Sequence, residues 1–342
     1  MQMATGNTTY GSDEHGLICG YRFVPDRPAE PIASATQALQ DLAAPQVPGG
    51  FVWLHLNLSH TGALAWMRAN TNLSENFFDA LQDGSRSTRI ERDGDTLFAV
   101  INDVTFDFSF DASDVATLWL AVSAHAVISA RSRPLRAIDR LRTAVKRGET
   151  LRSSAELLDH LLRDQADELQ RVVRGAIQKV DDIEDAMLSG RAEGHGGELS
   201  RLRRLMVRLQ RLLAPEPSVL QRTLSRPPRW LQPADLQDLH SASEEFALVL
   251  GDIAALQERI KLMQDESQAH IAEENNRTLF TLTMVTVLAL PINLISGLFG
   301  MNVGGIPLAD HGHGFWTMLG IIGAATVGLA LLVRRKIRPR KD

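Results

Sequence analysis

Two uncharged stretches near the C-terminal end dictate what the rest of this chain can do. From Thr278 to Phe299 the sequence runs 22 residues without a charged side chain, and from Phe315 to Val333 another 19. A helix needs about 20 apolar residues to cross a hydrocarbon core of about 30 Å, so each stretch reaches or nearly reaches a bilayer span. A pair of buried core helices is the alternative, but two such runs side by side are rare in soluble folds. The flanks give an orientation. Arg334, Arg335, Lys336, Arg338, Arg340 and Lys341 follow the second run, whereas residues 300–314 hold no Lys or Arg and one acid, Asp310. Positive residues stay on the cytoplasmic side. The tail is therefore expected inside, the short loop outside, and the first 277 residues inside.

Composition matters here because it misleads. A mean hydropathy of −0.09 with 23% charged residues looks soluble, but only because the charge is concentrated outside the two runs. A net charge of −5 offers no basic surplus to neutralise phosphates, so a nucleic-acid partner is not expected. The single cysteine, Cys19, excludes a disulfide framework and a Cys-based zinc site, and suits a reducing compartment. Met1 to Gly16 is polar and lacks the apolar core of a signal peptide, so export of the N-terminal part is not expected.

Residues 17–135 read as α/β. Strands are expected at Leu17–Val24, Phe51–Asn57, Thr96–Thr105, Val115–Val122 and Ala126–Arg131, all rich in Val, Ile, Phe and Trp. Helical patterns fall at Pro31–Leu42 and Thr61–Gln82, which suggests a mixed sheet with helices packed on it. Residues 135–147 and 153–213 carry apolar residues at 3–4 spacing, broken by the Gly-rich turn at 194–197, and predict a helix followed by a helical hairpin. A Pro-containing linker is expected next (Pro215, Pro217, Pro227, Pro228, Pro233). Pro233 suits a first helical turn, and no proline recurs until Pro291, so residues 234–290 can form one helix entering the membrane. Its apolar residues Leu236, Leu239, Phe246, Val249, Leu250, Ile253, Leu256, Ile260 and Met263 must be covered by protein. The expected division is 1–134 cytoplasmic α/β domain, 135–232 helical hairpin region and linker, 233–277 stalk helix, 278–299 first span, 300–314 outer loop, 315–333 second span and 334–342 basic tail.

On 3–4 spacing the first span carries a stripe of Asn276, Leu279, Thr283, Thr286, Leu290, Asn293 and Gly297. Asparagine in a membrane helix is costly unless it meets water or a partner helix. Pore lining and helix–helix packing both fit the stripe, and Thr278 and Thr281 lie off it. Pro291 removes the bond to the Val287 carbonyl and tends to kink the helix. One hairpin cannot enclose a channel, so a pore would require a closed ring of identical subunits.

The loop opens with Gly300-Met301-Asn302 and continues through Gly304-Gly305 and Pro307. A ring of Asn side-chain oxygens and backbone carbonyls is neutral and oxygen-rich, and suits a cation that keeps its water shell. With PINLISGLF (291–299) and GMNVGGIP (300–307), joined by FVWLHLNL (51–58), SRSTRIERDGDTLF (85–98) and VDDIEDAML (180–188), the sequence resembles the CorA superfamily of divalent metal ion transporters, closest to its ZntB zinc-transporter branch. The resemblance implies an α+β membrane protein, a homopentameric funnel with a cytoplasmic α/β/α domain, a long stalk helix and two C-terminal transmembrane helices per subunit. It implies that Gly300, Met301 and Asn302 form the outer mouth and selectivity ring, with Asn302 meeting the hydrated ion, and that Asn276, Leu279, Leu290 and Asn293 face the pore. The implied cargo is Zn²⁺, with proton coupling as an option; Mg²⁺, Co²⁺, Ni²⁺ and Cd²⁺ are alternatives. The implied location is the cell inner membrane with both termini cytoplasmic, and no cofactor is implied. The magnesium branch carries an acidic residue soon after the motif, from which Gly304-Gly305-Ile306-Pro307-Leu308 departs.

Asp310, His311 and His313 are chemically suited to zinc, yet a short loop with two histidines is more often only solvated. Asp252, Glu258, Asp265, Glu266, Glu273 and Glu274 could draw cations along the stalk, with Glu273 and Glu274 best placed; a solvated helix face is the commoner explanation. His55, His60 and His125 lack metal-site spacing. No Ser-His-Asp order, P-loop or GxGxxG supports an enzyme. The expected function is divalent cation transport, with a Mg²⁺/Co²⁺ channel or a membrane-anchored helical scaffold as alternatives.

Overall fold

A computed structural model describes residues 11–43, 49–82, 88–111, 113–189, 195–301 and 312–337. The chain divides into two compact units, Met1–Gln264 and Asp265–Asp342.

The first unit is built on a seven-stranded sheet of β1 (Leu17–Phe23), β2 (Glu30–Ile32), β3 (Phe51–Asn57), β4 (Arg89–Asp93), β5 (Thr96–Val104), β6 (Val115–Val122) and β7 (Ala126–Arg131), in the order β2-β1-β3-β7-β6-β5-β4. All neighbours are antiparallel except β3 and β7, which run parallel with Val52 opposite Ala126 and Asn57 opposite Arg131. Every residue of β3 is buried, as expected of a strand covered on both faces. Alternate side chains feed two cores. Val52, Leu54 and Leu56 pack with Ala38, Met67 and Phe77 from α1 (Ala35–Ala43), α2 (Ala63–Asn70) and α3 (Glu75–Gln82). Phe51 and Trp53 pack with Leu141 and Leu158 from α4 (Arg136–Lys146) and α5 (Ser154–Leu188). The result is the expected α/β/α layering.

The helical part has its own core. Val172, Val180 and Ile183 of α5 join Leu202, Leu205 and Leu209 of α6 (Gly196–Leu213). Phe246, Val249, Ile253, Leu256, Ile260 and Met263 complete it from α8 (Pro233–Phe299), a 67-residue helix with Pro291 inside it. Arg259 ties α8 to α5 through Asp181 at 2.7 Å and through Glu184.

The structure differs from the sequence expectation at four places. Pro31 and Ile32 belong to β2, and the first helix starts later, at Ala35, because Ser34 Oγ accepts the Gln37 N–H at 3.3 Å and caps it. Thr61–Gln82 is two helices, since Thr71 and Asn70 bond back to Met67 and Trp66 carbonyls and end α2. The charged segment Arg89–Asp93 is a strand, turned onto β5 through Gly94 at φ 62°. Pro215–Leu224, expected as linker, forms α7, with proline in its first turn, where a missing N–H costs nothing.

Candidate functional site

The second unit consists of α8 from Asp265 onward and α9 (Gly314–Ile337). Both helices are long and apolar enough to cross a membrane. Large apolar side chains stand exposed along both, among them Leu282, Leu294, Leu319 and Val327. That much uncovered apolar surface requires lipid or protein around it. Phe315 and Trp316 meet edge-to-face at 5.6 Å at the loop end of α9, where aromatic rings mark a membrane–water boundary.

Burial sorts the faces of α8. Met284, Leu288, Pro291 and Ile295 are half-buried in one row, and Ala289, a step around the helix from Leu288, is half-buried as well. On α9 the half-buried residues are Met318, Ile322, Thr326 and Leu329, again a single row. Asn276, Leu279, Thr283, Thr286, Leu290, Asn293 and Gly297 are all exposed, with Leu279 at 59% and Leu290 at 62%. At about 100° per residue the stripe lies roughly 150° around the helix from the half-buried row. The structure thus brings the seven stripe residues onto one uncovered face and places Pro291 off it, a separation that proline's chemistry alone did not signal.

The hydroxyls of the stripe are spoken for. Thr283 donates to Leu279 O at 2.8 Å and Thr286 to Leu282 O at 2.9 Å; Thr278 and Thr281, off the stripe, bond back in the same way. Such bonds satisfy the donor and leave the oxygen able to accept. The amides of Asn276 and Asn293 have no hydrogen bond among the described residues. They are the groups on this face that still need a partner.

At the end of α8, the Gly300 N–H closes onto Ser296 O at 3.0 Å. Met301 is 50% exposed. Asn302, Asp310 and His311 lie outside the described residues. His313 is exposed, and its carbonyl accepts both the N–H and the hydroxyl of Thr317. Glu273 and Glu274 are exposed, as are Asp252, Glu258, Asp265 and Glu266. Glu258 pairs with Lys261 at 3.5 Å. From Asp265 to Arg277 the helix carries four carboxylates against one arginine, a field that favours cations. Among the described residues no three ligating side chains gather to hold a metal within one chain.

Comparison with known proteins gives this geometry a context. The family profile described as CorA-like Mg²⁺ transporter protein matches residues 48–335. The chain is 28% identical over 313 residues to the divalent cation transporter CmaX of Pseudomonas aeruginosa, covering 91% of this chain and 93% of that one. It is 25% identical over 283 residues to the zinc transport protein ZntB of Pectobacterium carotovorum, covering 83% and 86%. Among solved structures, full-length CmaX superposes with a TM-score of 0.80 at 27% identity, over 96% of this chain and 99% of that one. The CorA magnesium transporter of Methanocaldococcus jannaschii gives 0.74 at 19% identity, over 92% and 97%, a likeness of fold.

Proposed function

The chain belongs to the CorA-like Mg²⁺ transporter protein family, and from that premise we propose that it carries Zn²⁺ across the cytoplasmic membrane through a ring of five identical subunits. Divalent cation transport is the family's activity; the ion, the ring and the route are the present reading. The first span, 278–299, lines the path with its stripe, and Gly300, Met301 and Asn302 form the outer mouth. Residues 1–277 and the tail 334–342 lie in the cytoplasm, the loop 300–314 outside, and the second span, 315–333, between stripe and lipid. Protons supply the coupling.

The observation that carries this reading is the uncovered face of α8. Its asparagine amides lack partners and would be costly against lipid, while the opposite face is already half-buried. Copies of the same face around an axis give those amides water and a hydrated ion to bond. Glu273 and Glu274 precede the span on the same helix, roughly 120–140° around it from that face, and ring repetition would multiply their charge there.

Proteoliposomes test it. Wild-type protein is expected to take up radioactive Zn²⁺, more slowly when excess Mg²⁺ competes weakly and faster with an imposed pH gradient. Replacing Asn302 by Ala should cut the flux by more than tenfold, as loss of an orienting ligand to a metal does. Equal flux in the variant would defeat the assignment of the mouth. Flux of Mg²⁺ or Co²⁺ with none of Zn²⁺ would make this a magnesium-type channel, and flux no greater than in empty vesicles would leave the spans as an anchor.

A further inference from the structure

A cleft of 320 Å³ opens at one edge of the sheet, lined by Asn57, Ser59, Thr105, Asp107, Arg131 and Arg133, with backbone of the segment that follows β7. β3 and β7 run parallel and end together there, at the register pair Asn57 and Arg131; β5 ends at the same edge, one residue before Thr105. Crevices at the carboxyl ends of parallel strands are where open sheets commonly receive ligands.

Arg131 is 7% exposed, and what holds it leaves its charge uncompensated. Its Nε donates to His55 Nε2 at 3.0 Å. His55 Nδ1 lies 2.9 Å from Ser129 Oγ, which also accepts from Trp53 Nε1 and donates to Leu54 O. With Nε2 accepting, the His55 proton sits on Nδ1 and the ring is neutral. Burial, with Arg131 and Arg142 beside it, keeps the His55 pKa well below the ordinary value. Asp139, the carboxylate whose charge acts on Arg131, is taken by Arg142 at 2.7 Å. Among the described residues no carboxylate pairs with Arg131, and its two Nη nitrogens make no hydrogen bond. A buried cation left without a counter-charge is a costly arrangement.

A second group in the same cleft is also unfulfilled. Thr105 is 3% exposed, and its hydroxyl has no partner among the described residues. Arg133 gives one Nη to Ser113 O at 3.0 Å and keeps its other donors. Two arginines and an orphaned hydroxyl, against one exposed acid at Asp107, make a donor-rich lining.

We propose that this cleft is a binding site for a small oxyanion, held by the Arg131 guanidinium and the Thr105 hydroxyl with Arg133 at its rim. Arginine's planar fork matches phosphate or carboxylate oxygens in pairs, and the volume admits such a group. Inorganic phosphate is the probe. This site is separate from the membrane spans, and its presence or absence leaves the transport reading untouched.

The full chain in nanodiscs, titrated with phosphate against chloride at matched ionic strength, tests the proposal by calorimetry and thermal unfolding. Phosphate is expected to bind saturably and raise the melting temperature, and chloride to do neither. Thr105→Val should weaken phosphate about two- to tenfold, the worth of one hydrogen bond. The same variant should melt at an equal or higher temperature without ligand, because a buried unpaired hydroxyl is gone. Asp107→Asn should tighten binding, and Arg131→Lys should abolish most of it. Should Arg131→Lys fail to fold, the Thr105 and Asp107 variants decide alone. Absence of saturable phosphate binding, or wild-type affinity in both Thr105→Val and Asp107→Asn, would overturn the proposal.

Discussion

Glu216 stands in the first turn of α7 with 2% of its surface exposed. Its Oε2 accepts from Gln165 Nε2 at 3.2 Å, while its Oε1 and the Gln165 Oε1 have no partner among the described residues. Burial pushes its pKa up to about 8, against the Gln165 bond and aided by Asp103. Asp103 is pushed to about 7 by burial, opposed by the N–H groups of Ala137 and Val104. In the unfolded chain both acids release their protons near pH 4. Between there and pH 7 to 8 the folded state holds protons that the unfolded state has lost, so the stability they confer is complete below about pH 4 and drains away as pH rises. The melting temperature of the purified protein is therefore expected to fall from pH 6 to pH 9, and Glu216→Gln should flatten that slope. An unchanged slope would mean that Glu216 stays ionised. Nothing in the sequence pointed to this group: an acid between Pro215 and Pro217 looks like a linker residue until the helix it starts is seen.

At the scale of elements, α8 is the part most plainly written in the sequence. Leu239, Ala242, Phe246, Val249, Ile253, Leu256, Ile260 and Met263 are all buried, in a strict 3–4 alternation that needs no structure to recognise. The row ends at Met263; the next positions in the same rhythm are Ser267, which is half-buried, and His270 and Glu274, which are exposed. Ile253→Ala, in the middle of the row, should destabilise the first unit by about 2–5 kcal/mol, measured by denaturant unfolding, while Leu248→Ala on the exposed face should change little. The five longer strands were equally legible because Val, Ile, Phe and Trp crowd them. β2 and β4 were not: three residues carry no period, and the Arg-Ile-Glu-Arg-Asp run of β4 hides its one buried side chain, Ile90, among charges. The stripe of α8 could be placed on one face by spacing, but which face is covered depends on contacts that spacing does not encode. That is why Pro291 could not be assigned beforehand.

For the molecule as a whole, the proposed ring is the strongest commitment. A lone copy leaves the stripe and much apolar surface uncovered, and two helices enclose nothing. Native mass spectrometry from mild detergent is expected to give about five times the 37.7 kDa chain. Replacing Cys19 by Ser and Thr283 by Cys should then yield oxidative cross-links between chains, since no other cysteine is present. A monomer mass without cross-links would remove the ring and, with it, the path. The membrane character was readable from two uncharged runs, and the family from the extended loop 291–307 together with the stretches 51–58, 85–98 and 180–188. The number of subunits was not, because it depends on surfaces meeting that a single chain presents but does not join.

The one parallel pairing in the sheet also sets a timetable. Among the described residues, β3–β7 is the only seam between the three-strand half β2-β1-β3 and the four-strand half β7-β6-β5-β4. Each half can zip up from near neighbours, but the seam waits for Arg131 to leave the ribosome. Thr278 follows roughly 150 residues later, some 7 to 30 seconds at ordinary synthesis rates. The sheet thus has time to close before the first apolar run emerges, and the insertion machinery receives that run trailing a sheet already paired. Delaying the seam, by slowing translation before β7, should expose the unfinished sheet edges to aggregation while the spans themselves remain unmade.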